Sequence, residues 1–351
     1  MRKKMFYFLA GIALATGMIS ADANNTVATV PEGMITFTIT HGKSNYLSLP
    51  LTNTPTYTSV VTAVTANTIS VDDTPAPFTS NLATPAAPYF VKFLSGKESG
   101  RVLLIISNTS GALALDTTDH ISGSAIALTT TSCNVQIGDA FEIFRGDTFA
   151  SVFGDGTTQN PLLLTGARTA LTADVISLFT TAGATNAVYF FNTVLGYWEQ
   201  NGTRVNANNT IIYPYSAFIV TNRVRHPDVT LVLAGRVTEV PAETRMISNG
   251  TVYTSSHYAT DIKLSQLQFG SNWTTGATVT VADTLSVWNA TLGRFDIFYQ
   301  KPDLTWRKST DAATDQSNYT IAAGSVTTIA KRGIVNGAAA FLASSLPYSL
   351  D

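Results

Sequence analysis

Five aromatic side chains are the residues of this chain best equipped to act on a ligand: Tyr197 and Trp198, then Trp288, Tyr299 and Trp306. An indole or phenol ring offers a flat apolar face and a polar edge, which suits stacking against the apolar face of a sugar ring. The competing use is core packing. The tryptophans stand at nearly fixed distances from an Asp-led strand, and that regularity points first to buried anchors of a sheet and second to a ligand platform.

Other chemistry is sparsely provided for. There are four histidines, His41, His120, His226 and His257, and no two have the spacing of a zinc site. His41, in Thr40-His41-Gly42-Lys43, and His226, in Arg225-His226-Pro227-Asp228, read as solvated loop residues. No G-x-S-x-G elbow occurs, and the glycines at 154, 156, 333 and 337 precede no βαβ pattern that would cradle a phosphate. Asp72-Asp73 and Asp116 with Asp119 lack the alternating arrangement of a calcium loop and read as turn residues. The single cysteine, Cys133, excludes an intramolecular disulfide and, with no basic residue beside it in sequence, reads as a buried structural thiol. The expectation is therefore a non-enzymatic protein with no metal and no cofactor. A secreted hydrolase, the remaining enzymatic alternative, would need a His or two carboxylates assembled across the fold.

The elements that must position these rings begin with export. Arg2, Lys3 and Lys4 precede an apolar run from Met5 to Ile19, and Ala21-Asp22-Ala23 is an A-x-A cleavage site, so residues 1–23 read as a signal peptide. The product is expected in a periplasm, at the cell surface or outside the cell, with no transmembrane segment once the peptide is removed. At 351 residues the chain is long enough to bury a large core. Charged residues are only 13% of it and the net charge is -2, so no basic field exists to hold a nucleic acid.

Period-two patterning dominates, with β-branched and aromatic residues between Gly, Asn, Asp and Pro turns, and predicts an all-β fold. Residues 57–64 and 68–71 read as a hairpin turning at Ala66-Asn67. Further strands are expected at 89–94, 102–107, 113–116, 125–131 and 140–145, spacing that suits a small barrel or sandwich over residues 24–155. Antiparallel β repeat units follow over 156–351.

The repeat is explicit. Ala173-Asp174-Val175-Ile176-Ser177-Leu178-Phe179 recurs 109 positions later as Ala282-Asp283-Thr284-Leu285-Ser286-Val287-Trp288. Tyr189-Phe190-Phe191 before Trp198 matches Ile297-Phe298-Tyr299 before Trp306, and Arg223 matches Arg332. The copies span about 173–223 and 282–332, and each reads as strand, aromatic strand, Trp strand and closing strand. Such a unit cannot bury its face alone, so the copies are expected to pack together or to borrow flanking strands. Asp174 and Asp283 are expected to accept backbone hydrogen bonds at the strand start.

These landmarks resemble a family of exported, β-rich bacterial proteins without assigned activity, marked by an AD-x-[IVL]-x-[VL]-[FW] strand, a following Trp, and a basic residue after I-x-P-G-x-[GA]-x-x-[IV]. Here Ile212-Tyr213-Pro214-Tyr215-Ser216-Ala217 keeps the proline but has Tyr215 in place of Gly, and Ile321-Ala322-Ala323-Gly324-Ser325-Val326 keeps the glycine without the proline. The resemblance implies a fold and an export route and no chemistry. The apolar tail, Ala338 to Ala343 and Leu346 to Leu350, reads as a docked final strand or an assembly element. Function is accordingly expected to be structural or adhesive at a surface or in a matrix, through self-association or a surface polymer, with carbohydrate binding by the repeated aromatics as the alternative.

Overall fold

A computed structural model describes residues 31–348, except 74, 80–81, 119–124, 132, 180–186, 244–249, 270–272, 333–341 and 344–345. The signal segment, Asp119 and His120 lie outside the described residues. Among the described residues strands hold 43% and helices 3%, so the fold is all-β. In chain order, β1 (Glu32–Ile39) and β2 (Lys43–Ser48) come first. Next come β3 (Pro55–Val60), β4 (Ala63–Val64), β5 (Thr68–Ser70), β6 (Tyr89–Phe93), β7 (Val102–Asn108), β8 (Ala112–Leu115) and β9 (Ala140–Arg145). The first repeat continues with β10 (Asp147–Thr148), α1 (Phe149–Phe153), β11 (Val175–Leu178), β12 (Ala187–Asn192), β13 (Tyr197–Gln200), β14 (Ile211–Ile212) and β15 (Ala217–Asn222), and β16 (Val229–Arg236) follows. The second has β17 (Thr251–Ser255), β18 (Ile262–Lys263), a 3-10 turn at Leu264–Gln266, β19 (Gln268–Phe269), β20 (Thr284–Asn289), β21 (Arg294–Gln300), β22 (Trp306–Lys308), β23 (Thr320–Ile321) and β24 (Val326–Ala330). Last is β25 (Leu342–Ala343).

Two five-stranded antiparallel sheets have the same plan. Their orders are β13-β12-β11-β15-β2 and β22-β21-β20-β24-β17. Register agrees residue by residue: Ile176 faces Tyr189 and Val220, and Leu285 faces Phe298 and Ile329. The small pairs β10-β14 and β18-β23 also correspond, each leading into a short helical turn. The repeat is therefore larger than 173–223 and 282–332. It begins with β2 in one copy and β17 in the other, and both sheets recruit that strand from upstream.

Between β2 and β10 the first copy carries a seven-stranded sheet, β3 to β9, where the second passes directly from β17 to β18. β1, β2, β10 and α1 lie with the first repeat, and the seven-stranded sheet runs from Pro55 to Arg145 between β2 and β10. Asn53 Nδ2 donates to the Arg145 carbonyl at 2.9 Å, pinning the entry of the insert against its exit. Its order, β3-β9-β6-β7-β8-β5-β4, starts and ends with strands consecutive in the chain. Val61 N-H bonds to Asp139 O and Thr62 N-H to Ser70 O, so the segment expected as one strand from 57 to 64 breaks there and serves both edges. The sheet curls around its own core, including Phe93, Leu113, Leu128, Cys133 and Phe141, but closes no barrel. Residues 125–131 form a bridge and turns, and the buried Leu128 is held by its N-H on Ala66 O. Cys133 is buried as expected, yet it has a basic neighbour in space: Arg101 Nη1 lies 3.3 Å from its sulfur.

Each repeat has its own apolar core, one around Trp198, Phe149, Phe153 and Ile176, the other around Trp306, Trp273, Leu285 and Phe298. The ribbon of β1 and β16 covers the first with Ile39 and Leu231. In the tail β25 pairs with β19, and Leu346 and Tyr348 pack against the second core, so this end is docked.

The repeated aspartates organise each sheet. Asp174 Oδ2 accepts from Thr165 N at 2.8 Å and Oδ1 from Arg223 N at 2.9 Å; Asp283 accepts from Thr274 N and Arg332 N, both at 2.7 Å. Each carboxylate thus ties the loop before the central strand to the end of the neighbouring strand. Its side-chain partner differs. In the second copy the buried Lys331 ammonium bonds Asp283, whereas in the first His226 Nδ1 sits 2.6 Å from Asp174. His226 is therefore half-buried and tethered rather than a solvated loop residue. Since removing one member of a buried ion pair costs about 3–5 kcal/mol, Asp283→Asn should lower thermal stability by more than Asp174→Asn, which leaves no buried lysine behind. Equal losses in melting experiments would contradict this assignment.

A buried polar node joins the insert to both repeats. Lys92 and Glu142 are cross-strand partners on β6 and β9. Lys92 Nζ donates to Thr238 Oγ1 at 2.6 Å, and Arg236 bridges Glu142 and Glu239 at 2.8 and 2.7 Å. Tyr215 of the first repeat stacks at 5.0 Å on His257 of the second, and Lys92 lies over the Tyr215 ring. Burial pushes the Lys92 ammonium down to about 8, against the pull of Glu142. Burial, helped by the Lys92 charge, pushes the His257 imidazole down to about 3. Below pH 6.5 the unfolded chain therefore takes up a proton at His257 that the folded chain refuses, and stability falls toward pH 3 at up to about 1.36 kcal/mol per pH unit. His257→Asn, a residue that tolerates the positive φ of 61° at this position, should show a shallower acid dependence between pH 6.5 and 4 in urea unfolding; an unchanged slope would refute this account.

Candidate functional site

The two repeat sheets face each other through their second sides. On β20, Leu285 and Val287 point into the second core, so alternation turns Trp288 the other way, and on the first copy Phe179 holds the equivalent position. Trp288 stacks on Tyr46 of β2, with ring centroids 4.2 Å apart at 34°. Phe179 stacks on Tyr253 of β17, at 4.0 Å and 8°. Tyr46 and Tyr253 occupy the same place in their copies, since Asn45 pairs with Val220 and Val252 with Ile329. The contact is thus reciprocal, each copy giving a tyrosine and receiving an aromatic ring, in the manner of an isologous dimer within one chain. The terminal aromatic of the Asp-strand motif is what makes it.

Beside the Tyr46 and Trp288 stack lies a groove of about 410 Å³, within the roughly 300–1,000 Å³ typical of small-ligand sites. Phe37 and Thr36 and Thr38 of β1 and Tyr46 of β2 form one wall; Trp288, Tyr319, Thr320 and Ser325 of the second repeat form the other. None of its lining residues carries a charge. Phe295 meets both Tyr46 and Trp288 edge-on at 5.2 Å, fixing the stack from the side. Behind the groove, the buried Asp296 carboxylate accepts from Asn289 Nδ2 at 2.9 Å and pairs with Lys308 at 2.9 Å. Burial opposes ionisation there, but these hydrogen bonds hold the Asp296 carboxyl below the usual carboxylate range.

The two copies differ at one backbone position beside the groove. Gly324 and Tyr215 are equivalent, with φ of 63° and 62°. At Gly324 a Cβ would come within 2.6 Å of the Phe37 ring, so only glycine lets β1 approach as it does. At the corresponding place the Tyr215 side chain is buried against His257 and fills its surroundings. Burial raises its phenol well above the ordinary tyrosine value.

The five aromatics named from sequence divide sharply. Trp198, Tyr299 and Trp306 are buried, with exposures of 0%, 2% and 1%, and present no face to a ligand. Trp198 donates through Nε1 to Gly154 O at 2.7 Å among Phe149, Phe153 and Phe191. Trp306 packs on Phe269 and Trp273. Tyr197 is half-buried, its hydroxyl spent on Arg204 O at 3.0 Å. Trp288 alone of the five lines the groove. Tyr46, Phe37 and Tyr319, which complete it, carry no local motif in sequence; the alignment of Tyr46 with Tyr253 is the signal that could have found the first of them. Among the described residues no group of three His, Cys, Asp or Glu side chains could hold a metal ion, and no helix is long and apolar enough to cross a membrane.

Comparison with family models, curated proteins and solved structures finds no match to this chain. Trp198, Trp273 and Trp306 are buried while Trp288 is only half-buried. Acrylamide should therefore quench one component of the tryptophan emission, and Trp288→Phe should remove that component. Emission quenched equally in the variant would show that the accessible ring lies elsewhere.

Proposed function

We propose that this is an exported, non-enzymatic β protein of the cell surface or extracellular matrix, adhesive in action, which holds a surface polymer in the groove between its two repeats. The observation that carries the reading is the half-buried Trp288 in a groove lined wholly by uncharged residues. A surface of aromatic rings and hydroxyls binds by stacking and neutral hydrogen bonds, and supplies no acid or base for bond cleavage. The charged clusters of the chain support the same reading, because Lys92 with Glu142 and Lys331 with Asp283 are spent on holding strands together inside the protein. Export rests on the three-part pattern of residues 1–23.

Self-association is a second reading with its own observation. On the outer face of the ribbon, Met34 and Val232 are 71% and 53% exposed. Such a surface could join copies edge to face through these two residues, meeting the groove at Thr36, the cross-strand partner of Val232.

The test is retention of the purified mature chain on the surface of its producing cells and on isolated envelope material. Trp288→Ala and Thr36→Arg, the latter an exposed groove-wall position, should each reduce retention at least about tenfold while leaving the β-sheet circular dichroism unchanged. Retention equal to that of the unaltered chain in both variants would sink the groove as the adhesive site. Loss in Met34→Lys with both groove variants intact would favour self-association.

A further inference from the structure

We infer that the groove is a binding site for a neutral saccharide, its pyranose ring stacked against Trp288. This rests on the proposed adhesive use of the groove and narrows it to one chemical class.

Three features of the wall select that class. First, the aromatic surface is preorganised. Trp288 is held by Tyr46 on one side and Phe295 at its edge, so little side-chain freedom remains to be lost when a flat apolar ring face settles on it. Second, the polar part of the lining is hydroxyl-rich: Thr36, Thr38, Thr320 and Ser325 stand around the aromatic part. Hydroxyls act as donor or acceptor by rotating, which matches the hydroxyls of a sugar, themselves both donors and acceptors. The amides of Asn45 and Asn289 are by contrast committed, the first to Thr40 and Lys43 carbonyls and the second to Asp296. Third, no lining residue is charged, and the charged groups bonded to the lining include two carboxylates, Asp296 behind Asn289 and Asp261 on Ala323 N, which would repel an anion. A phosphorylated, sulfated or uronic ligand would give up hydration without gaining a counter-charge. An acyl chain would be poorly served as well, because the hydroxyl side of the groove would be buried against hydrocarbon.

The volume of about 410 Å³ accommodates a short saccharide segment rather than a whole folded partner. At the position equivalent to Gly324 the first repeat carries the buried Tyr215, so the two copies differ beside this groove.

Isothermal titration and tryptophan quenching with neutral gluco-, manno- and N-acetylglucosamine oligosaccharides, set against oligogalacturonate, test the inference on the mature chain. The expected result is saturable binding of at least one neutral series, protection of Trp288 from acrylamide, and no binding of oligogalacturonate. Trp288→Ala and the exposed variant Thr36→Arg should each weaken that binding at least about tenfold. Saccharide binding that survives both substitutions would overturn the inference by placing the sugar elsewhere. Absence of any neutral-saccharide effect up to about 10 mM, a range that covers even millimolar dissociation constants, would also overturn it. In that last case, surface retention still sensitive to Trp288→Ala would leave the adhesive groove standing, whereas retention insensitive to it would remove both.

Discussion

A carboxylate buried at the head of the central strand is the constraint on which each repeat is built. Asp174 and Asp283 are 1% and 0% exposed, and each holds two backbone N-H groups from segments far apart in the chain. A buried anion is unfavourable unless its oxygens are satisfied, so the loop and the strand end must arrive together for either sheet to form. Once they do, the central strand is fixed along its axis, and with it the direction of every second side chain. Ile176 and Leu285 turn inward to the two cores, and Phe179 and Trp288 turn outward to the partner copy. The groove is a consequence of that alignment, five residues downstream of the aspartate.

The relation between the copies is that of a dimer encoded in one polypeptide, and its departures from symmetry are where it becomes a site. Gly324 and Tyr215 share a left-handed backbone conformation but not a side chain, and the carboxylate partners Lys331 and His226 differ likewise. Fusion relieves the two halves of the requirement to be the same. One half carries the buried junction through Tyr215, and the other leaves space beside Trp288.

Much of each repeat was legible in the sequence, because Ala173 to Phe179 and Ala282 to Trp288 keep residue type as well as spacing. The role of the aspartates followed from the habit of short carboxylates to bond nearby backbone, although the partner at Arg223 or Arg332 is some 50 positions away. The insert was not legible. Period-two alternation is the same in β2, which belongs to the repeat, as in β6, which does not, and pairing partners are set by contacts that no local pattern records. The same blindness concealed the groove, whose walls come from residues 36 to 47 and 287 to 325. The aromatics singled out by spacing were mostly anchors, because a Trp at fixed register in every copy serves what the copies share, which is their core. The buried junction did leave a trace in Lys92 and Glu142, charges placed inside otherwise apolar strands and opposite one another.

The interruption of one copy and not the other sets the order in which the chain can be assembled. In the first repeat Asn45 must meet Val220 across 175 positions, with an entire curled sheet between them. At equilibrium the longer loop matters little, since closing entropy grows by only about 0.6 kcal/mol for each doubling of length. In time it matters more. The second repeat runs without interruption from residue 251 to 330 and can form its sheet from neighbouring segments, whereas β2 emerges early from synthesis and must wait for β15. An unpaired strand is a template for wrong partners. The exposed, polar opening of β2, Lys43-Ser44, gives that waiting edge a measure of protection until its own sheet arrives.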